Sequence, residues 1–435
     1  MASHGLLALY LVTLLALPKV QSSLAALVCL TAILGSQWRA CPPIGQRIRE
    51  SRALLVPLLG YAALVLAQIL GGLLASRDAD QLLMCLLTAG VLLSLVPRAA
   101  PSPRVWLFPA AAVGAIGACA LAAWQFFGLD IQRPYGHLGA GRLGNGAIKF
   151  GDLAGMLGLF SLLMLVDGAD ESRWRKVLGV LGCAAGVAAL GMAQARGGVL
   201  GVALALWMLI LLLYLRRRER RRHQADVHRA DPASRPSRSP RWRGLMAALL
   251  GAAVLLGAAQ WMAPRFADIG PQIERFQSGD QNSEVGQRLA LWGVAWRAGL
   301  HAPLTGVGLD GFVDELERQR AAGELPAGMQ VLYGSAHNEY LAAFAGAGIP
   351  GLLVILLFFI GPVVAGVRRF LAGQQPDAAL ALVMLSTAFS AYSLTDAMFE
   401  RQISMLAYLL LSAWLMAASG SPATVSSTVR GSHHA

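Results

Sequence analysis

The chain of 435 residues is 56% hydrophobic, has a mean hydropathy of +0.55 and carries only 14% charged residues, far below the roughly 25% usual in soluble domains. That composition excludes a soluble globular core and makes this an integral membrane protein. The net charge of +12 says little about a substrate, because eleven arginines against three acids in one segment account for +8 of it.

Apolar runs of about 20 residues, enough to cross a roughly 30 Å hydrocarbon layer as helices, recur along nearly the whole length. The expected spans are 5–20, 22–37, 53–75, 80–97, 105–127, 148–167, 175–193, 197–215, 244–262, 350–367, 378–395 and 402–419, about twelve in all. The first two are short, and the "LPKV" between them is compatible with one bent hairpin. No cleavable signal peptide is expected, because the first apolar run lacks a basic start and leads straight into another. After the third span, "RDAD" (77–80) offers a DxD-like pair able to hold a divalent cation at a phosphate; helix capping by Asp80 is the plainer reading.

Spans eight and nine flank "RRRERRRHQADVHRADPASRPSRSPRWR" (216–243), whose only acids are Glu219, Asp226 and Asp231. Rich in Arg, Ser and Pro and lacking apolar periodicity, it reads as a disordered cytoplasmic loop that sets topology at an anionic leaflet, rather than as a nucleic-acid arm. "RACPPIGQRIRESR" (39–52), "PRAAPSPR" (97–104), "ESRWRK" (171–176) and "RRF" (368–370) fall on the same side. Both termini are therefore expected in the cytoplasm. Cys29, Cys85, Cys119 and Cys183 lie in spans and Cys41 in a cytoplasmic connection, with no disulfide framework or CxxC metal site. The expected organisation is an N-terminal bundle over 1–215, the basic loop 216–243, span nine at 244–262, an outer loop domain over 263–349, C-terminal helices over 350–420 and a disordered tail over 421–435.

The outer face is the informative one. Across 264–336, six arginines (Arg265, Arg275, Arg288, Arg297, Arg318, Arg320) stand against nine acids, so these cations do not reflect a general attraction to membrane. "EVGQRLALWGVAWRAGL" (284–300) predicts an amphipathic helix through Val285, Leu289, Leu291, Trp292, Val294 and Trp296, with tryptophans suited to the membrane interface. "HAPLTGVGLDGF" (301–312) holds a formal GxGxxG at Gly306, Gly308 and Gly311. No βαβ unit precedes it, and tight turns explain the glycines.

Further outward cations sit at predicted membrane boundaries: Arg133, Arg142 and Lys149 in "GLDIQRPYGHLGAGRLGNGAIK" (128–149), Arg196 in "AQARGG" and Arg401 closing "TDAMFER". The positive-inside rule disfavours them there, and arginine's planar fork suits phosphate oxygens. Each alone has a plainer role, since Arg401 can pair with Glu400 or Asp396 and Arg133 can be solvated. Of the outer histidines, His137, His301 and His337, the last is expected to open a helix and to share a face with Tyr340, Leu341 and Phe344 at i, i+3, i+4, i+7 spacing. "GAGIPG" then breaks that helix. A neutral imidazole at a helix N-terminus can accept a proton, which makes a general base its natural role; a histidine merely hydrogen-bonded at a helix start is the alternative.

Three stretches then come together: "RLALWGVAWRAGLHAPLTGVGLDGF", "HNEYLAAFAGAGIPGLL" and "ARGG" (195–198). They resemble, respectively, the Arg-led helix and P-L-x-G-x-G turn, the His-Asn start with its Gly-Ile-x-Gly break, and the helix-start arginine of the O-antigen ligase and polymerase family of bacterial envelope proteins, most closely its ligases. Ala195 stands where a serine is often found. The resemblance covers roughly residues 130–410. It implies an all-α, GT-C-like polytopic membrane protein of about 12 transmembrane helices with a large helical periplasmic loop, in a Gram-negative inner membrane. It also implies lipopolysaccharide biosynthesis by metal-independent, inverting transfer of a glycan from undecaprenyl pyrophosphate to the lipid A core oligosaccharide at the periplasmic face. His337 is then the base, Arg196 and Arg288 match family arginines at the pyrophosphate, and Arg142 and Arg265 join them by location. Lys149, Asn338, Tyr340, Asp396 and Arg401 are expected to support the site. Donor, acceptor and membrane lipids are the expected partners, with no nucleic acid, metal or cofactor. An O-antigen polymerase or a protein O-oligosaccharyltransferase with the same donor stays open. So does, more remotely, a lipid-linked glycan transporter, which predicts repeat symmetry and mid-membrane charges rather than charges gathered at one face.

Overall fold

The structure, a computed structural model, describes residues 2–34, 43–74, 80–95, 102–136, 146–166, 172–230, 243–280, 282–325, 334–400 and 402–420. His137, Arg142, Arg401, Cys41, most of "RDAD" and the 421–435 tail lie outside the described residues. Within them every regular element is helical: α1 (Ala2–Thr13), α2 (Pro18–Leu34), α3 (Ile44–Leu70), α4 (Asp80–Leu95), α5 (Pro103–Ala123) running into a π-turn (Trp124–Gly128), α6 (Gly146–Leu163), α7 (Arg173–Ala193), α8 (Arg196–Ala230) and α9 (Arg243–Trp261). Four pieces follow, α10 (Ala263–Ala267), α11 (Ile269–Gln277), α12 (Glu284–His301) and α13 (Phe312–Ala321), before α14 (Glu339–Leu371), α15 (Pro376–Tyr392) and α16 (Gln402–Gly420).

Seven of these helices, α3, α5 with its π-turn, α6, α7, α8, α14 and α16, are long and apolar enough to cross a membrane; α1, α2, α4, α9 and α15 contribute shorter apolar helices. Every expected span thus has its helix, and the chain is a polytopic all-α membrane protein. Two boundaries differ from expectation. The segment expected to be a disordered loop from residue 216 instead continues α8 to Ala230, because arginine is a good helix former and nothing breaks the helix. The break expected between His337 and the tenth span is a kink inside α14, at Ala347 (φ −138°, ψ 17°) and Gly348 (φ 64°, ψ −155°). The expected domain boundary at 349–350 therefore falls within one helix.

Burial sets three helices apart from the rest. α6 is buried along its whole length, and α15 and α16 nearly so, so polar residues away from their ends are held inside the bundle. At the end of α15 away from the site, Arg104 pairs with Asp377 at 2.7 Å. Nearby, Arg369 donates to Met416 O at 2.6 Å, Ser419 Oγ at 2.7 Å and Glu50 O at 2.6 Å, satisfying main-chain carbonyls on two other helices.

At the other end, a small second core of Leu291, Val294, Ala295, Ala298, Phe312, Leu316, Ala336 and Ala345 joins α12 and α13 to the start of α14. The 302–311 turn docks on the kink: Val307 N donates to Ala345 O at 2.8 Å, Gly308 N to Gly346 O at 3.1 Å and Ile349 N to Pro303 O at 2.8 Å. From α3, Gln68 locks the turn to the kink, donating to Gly346 O at 2.7 Å and accepting from Leu309 N at 3.0 Å. Gly306 has φ +67°, and a Cβ there would lie 2.2 Å from Gly346 C. Gly306→Ala is therefore expected to cost more than about 2 kcal/mol, from a left-handed backbone combined with a steric clash. Thermal unfolding in detergent checks this, and an unchanged transition would mean that the turn does not hold the kink.

Candidate active site

The path into α14 places His337. Asn338 is the N-cap: its Oδ1 accepts the N–H groups of Tyr340 and Leu341 at 3.0 and 3.1 Å, as an N-cap amide does, while its Nδ2 donates to Leu394 O at 3.1 Å. His337 precedes the cap with φ +49°, a left-handed conformation that is uncommon for a residue other than glycine. It therefore does not share a helical face with Tyr340, Leu341 and Phe344, as the spacing predicted. The cap turn instead swings the ring toward the α15–α16 connection, and Tyr340 ties α14 to α15 by donating to Ser390 O at 2.9 Å.

There His337 Nδ1 lies 3.0 Å from Asp396 Oδ1. Lys149 Nζ, from the buried α6, lies 2.8 Å from Asp396 Oδ2 and 2.8 Å from Ala397 O. The three residues are 1%, 0% and 2% exposed, in the order His337, Asp396, Lys149. Burial opposes ionisation of Asp396, but the Lys149 ammonium and the imidazole outweigh it and hold the carboxyl well below the usual carboxylate range. A carboxylate accepting from Nδ1–H fixes the tautomer in which Nε2 is the basic nitrogen.

Beside this chain of charges lies a cavity of about 340 Å³ lined by Arg133, Arg196, Arg288 and Glu284, with Leu200, Phe266, Ile269, Leu289 and Trp292 among its apolar walls. Ser283 caps α12 by accepting from Gly286 N at 3.0 Å, which puts Glu284 in the first turn and Arg288 one turn later. The Arg288 guanidinium donates to Thr395 O and stands 3.9 Å from Glu284. Arg265, expected among the anion ligands, is not part of the wall; it braces Glu284 from behind at 2.8 Å. Arg133 Nε and both Nε and one terminal nitrogen of Arg196 are buried without a hydrogen bond among the described residues. Burial raises the Glu284 pKa, but the four arginines together pull it below its ordinary value. Burial, reinforced by the neighbouring guanidiniums and opposed by Glu284, lowers that of Arg133. An excess of buried positive charge with unused donors is what an incoming anion relieves.

Sequence reasoning set Arg133 among the outward cations but weighed solvation against it and did not place it at the pyrophosphate, and it passed over Glu284, although an acid in the first turn after a capping serine was a usable signal. It also offered no sign that Asp152, one turn after Lys149, would be fully buried with neither oxygen hydrogen-bonded among the described residues. Asp396 is held by Lys149 and His337.

A family model described as O-Antigen ligase matches residues 181–356, a stretch that includes Arg196, Arg265, Arg288 and His337 and leaves out Lys149 and Asp396. A segment of 91 residues is 28% identical to an uncharacterized protein of Haemophilus influenzae, covering 21% of this chain and 23% of that protein.

Asp396 and Glu284 are both held below their unfolded pKa values of about 4, so the stability they contribute is complete above that pH and is lost as pH falls through the lower folded values. Asp396→Asn is expected to lower the thermal transition most at neutral pH, with the gap from wild type closing below about pH 4. A pH-independent gap in unfolding scans would contradict an ionised Asp396.

Proposed function

We propose that this chain, which carries the O-antigen ligase family region at residues 181–356, is an O-antigen ligase. In this reading it transfers a glycan from undecaprenyl pyrophosphate to the lipid A core oligosaccharide, with inversion, at the periplasmic face of the inner membrane. One observation carries the reading: the wall of the arginine cavity includes Thr395, the residue next to the aspartate that orients His337. An anion in that cavity and a base on that aspartate then serve one reaction.

The pyrophosphate fits the cavity through Arg133, Arg196 and Arg288, with the polyprenyl chain against the apolar walls. His337 Nε2 takes the proton of the acceptor hydroxyl as its oxygen forms a bond to the anomeric carbon, and the bond from that carbon to the phosphate oxygen breaks. Charge growing on the leaving pyrophosphate meets guanidiniums already in place. Asp396 stabilises the imidazolium, and Lys149 keeps Asp396 ionised. The ring is 1% exposed, so substrate entry has to displace part of its surroundings. The positive-inside rule supports the orientation, because Arg104, Arg369 and the basic end of α8 lie at the end of the bundle away from the site.

Transfer from lipid-linked donor to lipid A core by the purified protein tests the reading. His337→Ala is expected to abolish it and Arg288→Ala to lower it by roughly 10²-fold or more; full transfer by His337→Ala would remove the general base. In a deletion strain, bare core with accumulated lipid-linked polymer is expected. Core bearing one repeat would instead mean a polymerase, and normal lipopolysaccharide with lost glycoproteins a protein O-oligosaccharyltransferase.

A further inference from the structure

A second cavity, of about 310 Å³, lies against Ala336 and Ala397, the chain neighbours of His337 and Asp396. Its lining includes Asp310, Ser335, Ala336, Glu339, Ala397 and Glu400, and no Lys, Arg or His among the described residues. The backbone at 395–397 is the partition, since Thr395 lines the arginine cavity and Ala397 lines this one. Ala336 and Glu339 bracket His337 in the chain, so an occupant sits against the backbone that carries the base.

The wall chemistry is the reverse of its neighbour's. Glu339 is 7% exposed and accepts Phe399 N at 2.8 Å through Oε2, while its Oε1 makes no hydrogen bond among the described residues. That carboxyl oxygen stands at the cavity wall, where it can meet a polar group of an occupant. Glu400 holds Ser335 Oγ at 3.3 Å, and Tyr61, Phe312 and Phe399 add aromatic surface. Carboxylates that accept from hydroxyls, set among aromatic rings, suit the polar edge and apolar face of a sugar. The same carboxylates repel phosphate at short range.

We propose that this cavity is the acceptor subsite, and that it takes an unphosphorylated sugar presenting hydroxyl or ammonium groups while excluding phosphorylated ones. The proposal rests on the ligase reading for the chemistry that follows binding. The opposite charge of the two cavities then sorts the substrates, keeping the pyrophosphate donor out of the acceptor's place.

Two readouts on the full-length protein test it. In the transfer assay, Glu400→Lys and Asp310→Asn, both at exposed positions, are expected to raise the acceptor KM by about tenfold, the loss of a charge-assisted hydrogen bond, with donor KM unchanged. Glu400→Lys is also expected to improve relative use of an acceptor phosphorylated beside the reacting hydroxyl. Independently of catalysis, saturation-transfer NMR with a glucosamine-terminated oligosaccharide is expected to show contact with wild type that Glu400→Lys abolishes. Acceptor KM within twofold of wild type in both variants, or NMR contact that survives Glu400→Lys, overturns the assignment. Wild type that binds this probe through Glu400 yet transfers nothing supports the cavity and sinks the ligase reading instead.

Discussion

The buried series Lys149, Asp396, His337 is the interaction on which the rest depends. α6 has no face toward solvent, so Lys149 cannot send its ammonium to water and must find a carboxylate; Asp396, equally buried, requires a cation. Leaving either unpaired costs several kcal/mol, far more than a surface ion pair is worth. Their meeting anchors the connection that follows α15, and with it Thr395. The carbonyl of Thr395 takes the Arg288 guanidinium and draws α12 down onto the bundle. His337, left-handed ahead of its cap, completes the series from the third side. Four separate parts of the chain are thereby registered on one carboxylate and its neighbour.

Around that point the protein separates charge by compartment. One cavity gathers guanidiniums from the segment after the π-turn, from the start of α8 and from α12, with a single glutamate to hold them together; the other is walled by carboxylates. In the proposed transfer, groups set in advance around the leaving anion lose no reorganisation energy when its charge develops, and the anion offsets the repulsion of bringing them together. Arg265, bound to Glu284 behind the wall, serves this arrangement without touching the cavity.

Hydropathy made the helices legible, because the length and apolarity needed to cross a bilayer are local properties. The site was legible only where a residue type carries its own message. His337, Arg196 and Arg288 stood out as cations or a base on an unexpected face. Arg133 carried the same signal but had solvation as an equal reading, since its place in the cavity depends on α12 residues far along the chain. Lys149 and Asp396 lie 247 residues apart, and no periodicity reports such a meeting. The face assigned to His337 was wrong for a specific reason: Asn338 caps the helix with its side chain, so the regular spacing begins after the histidine rather than at it. The α8 extension was missed because a run of arginines was weighed by its charge rather than by its helix propensity.

The most direct test of the proposed division of charge is a cryo-EM structure of the protein with a polyprenyl pyrophosphate bound. The expected result places the phosphate oxygens within hydrogen-bond distance of Arg133, Arg196 and Arg288, beside Thr395, with His337 still on Asp396. A diphosphate held instead in the carboxylate-lined cavity, or by Arg104 and Arg369 at the other end of the bundle, would contradict it.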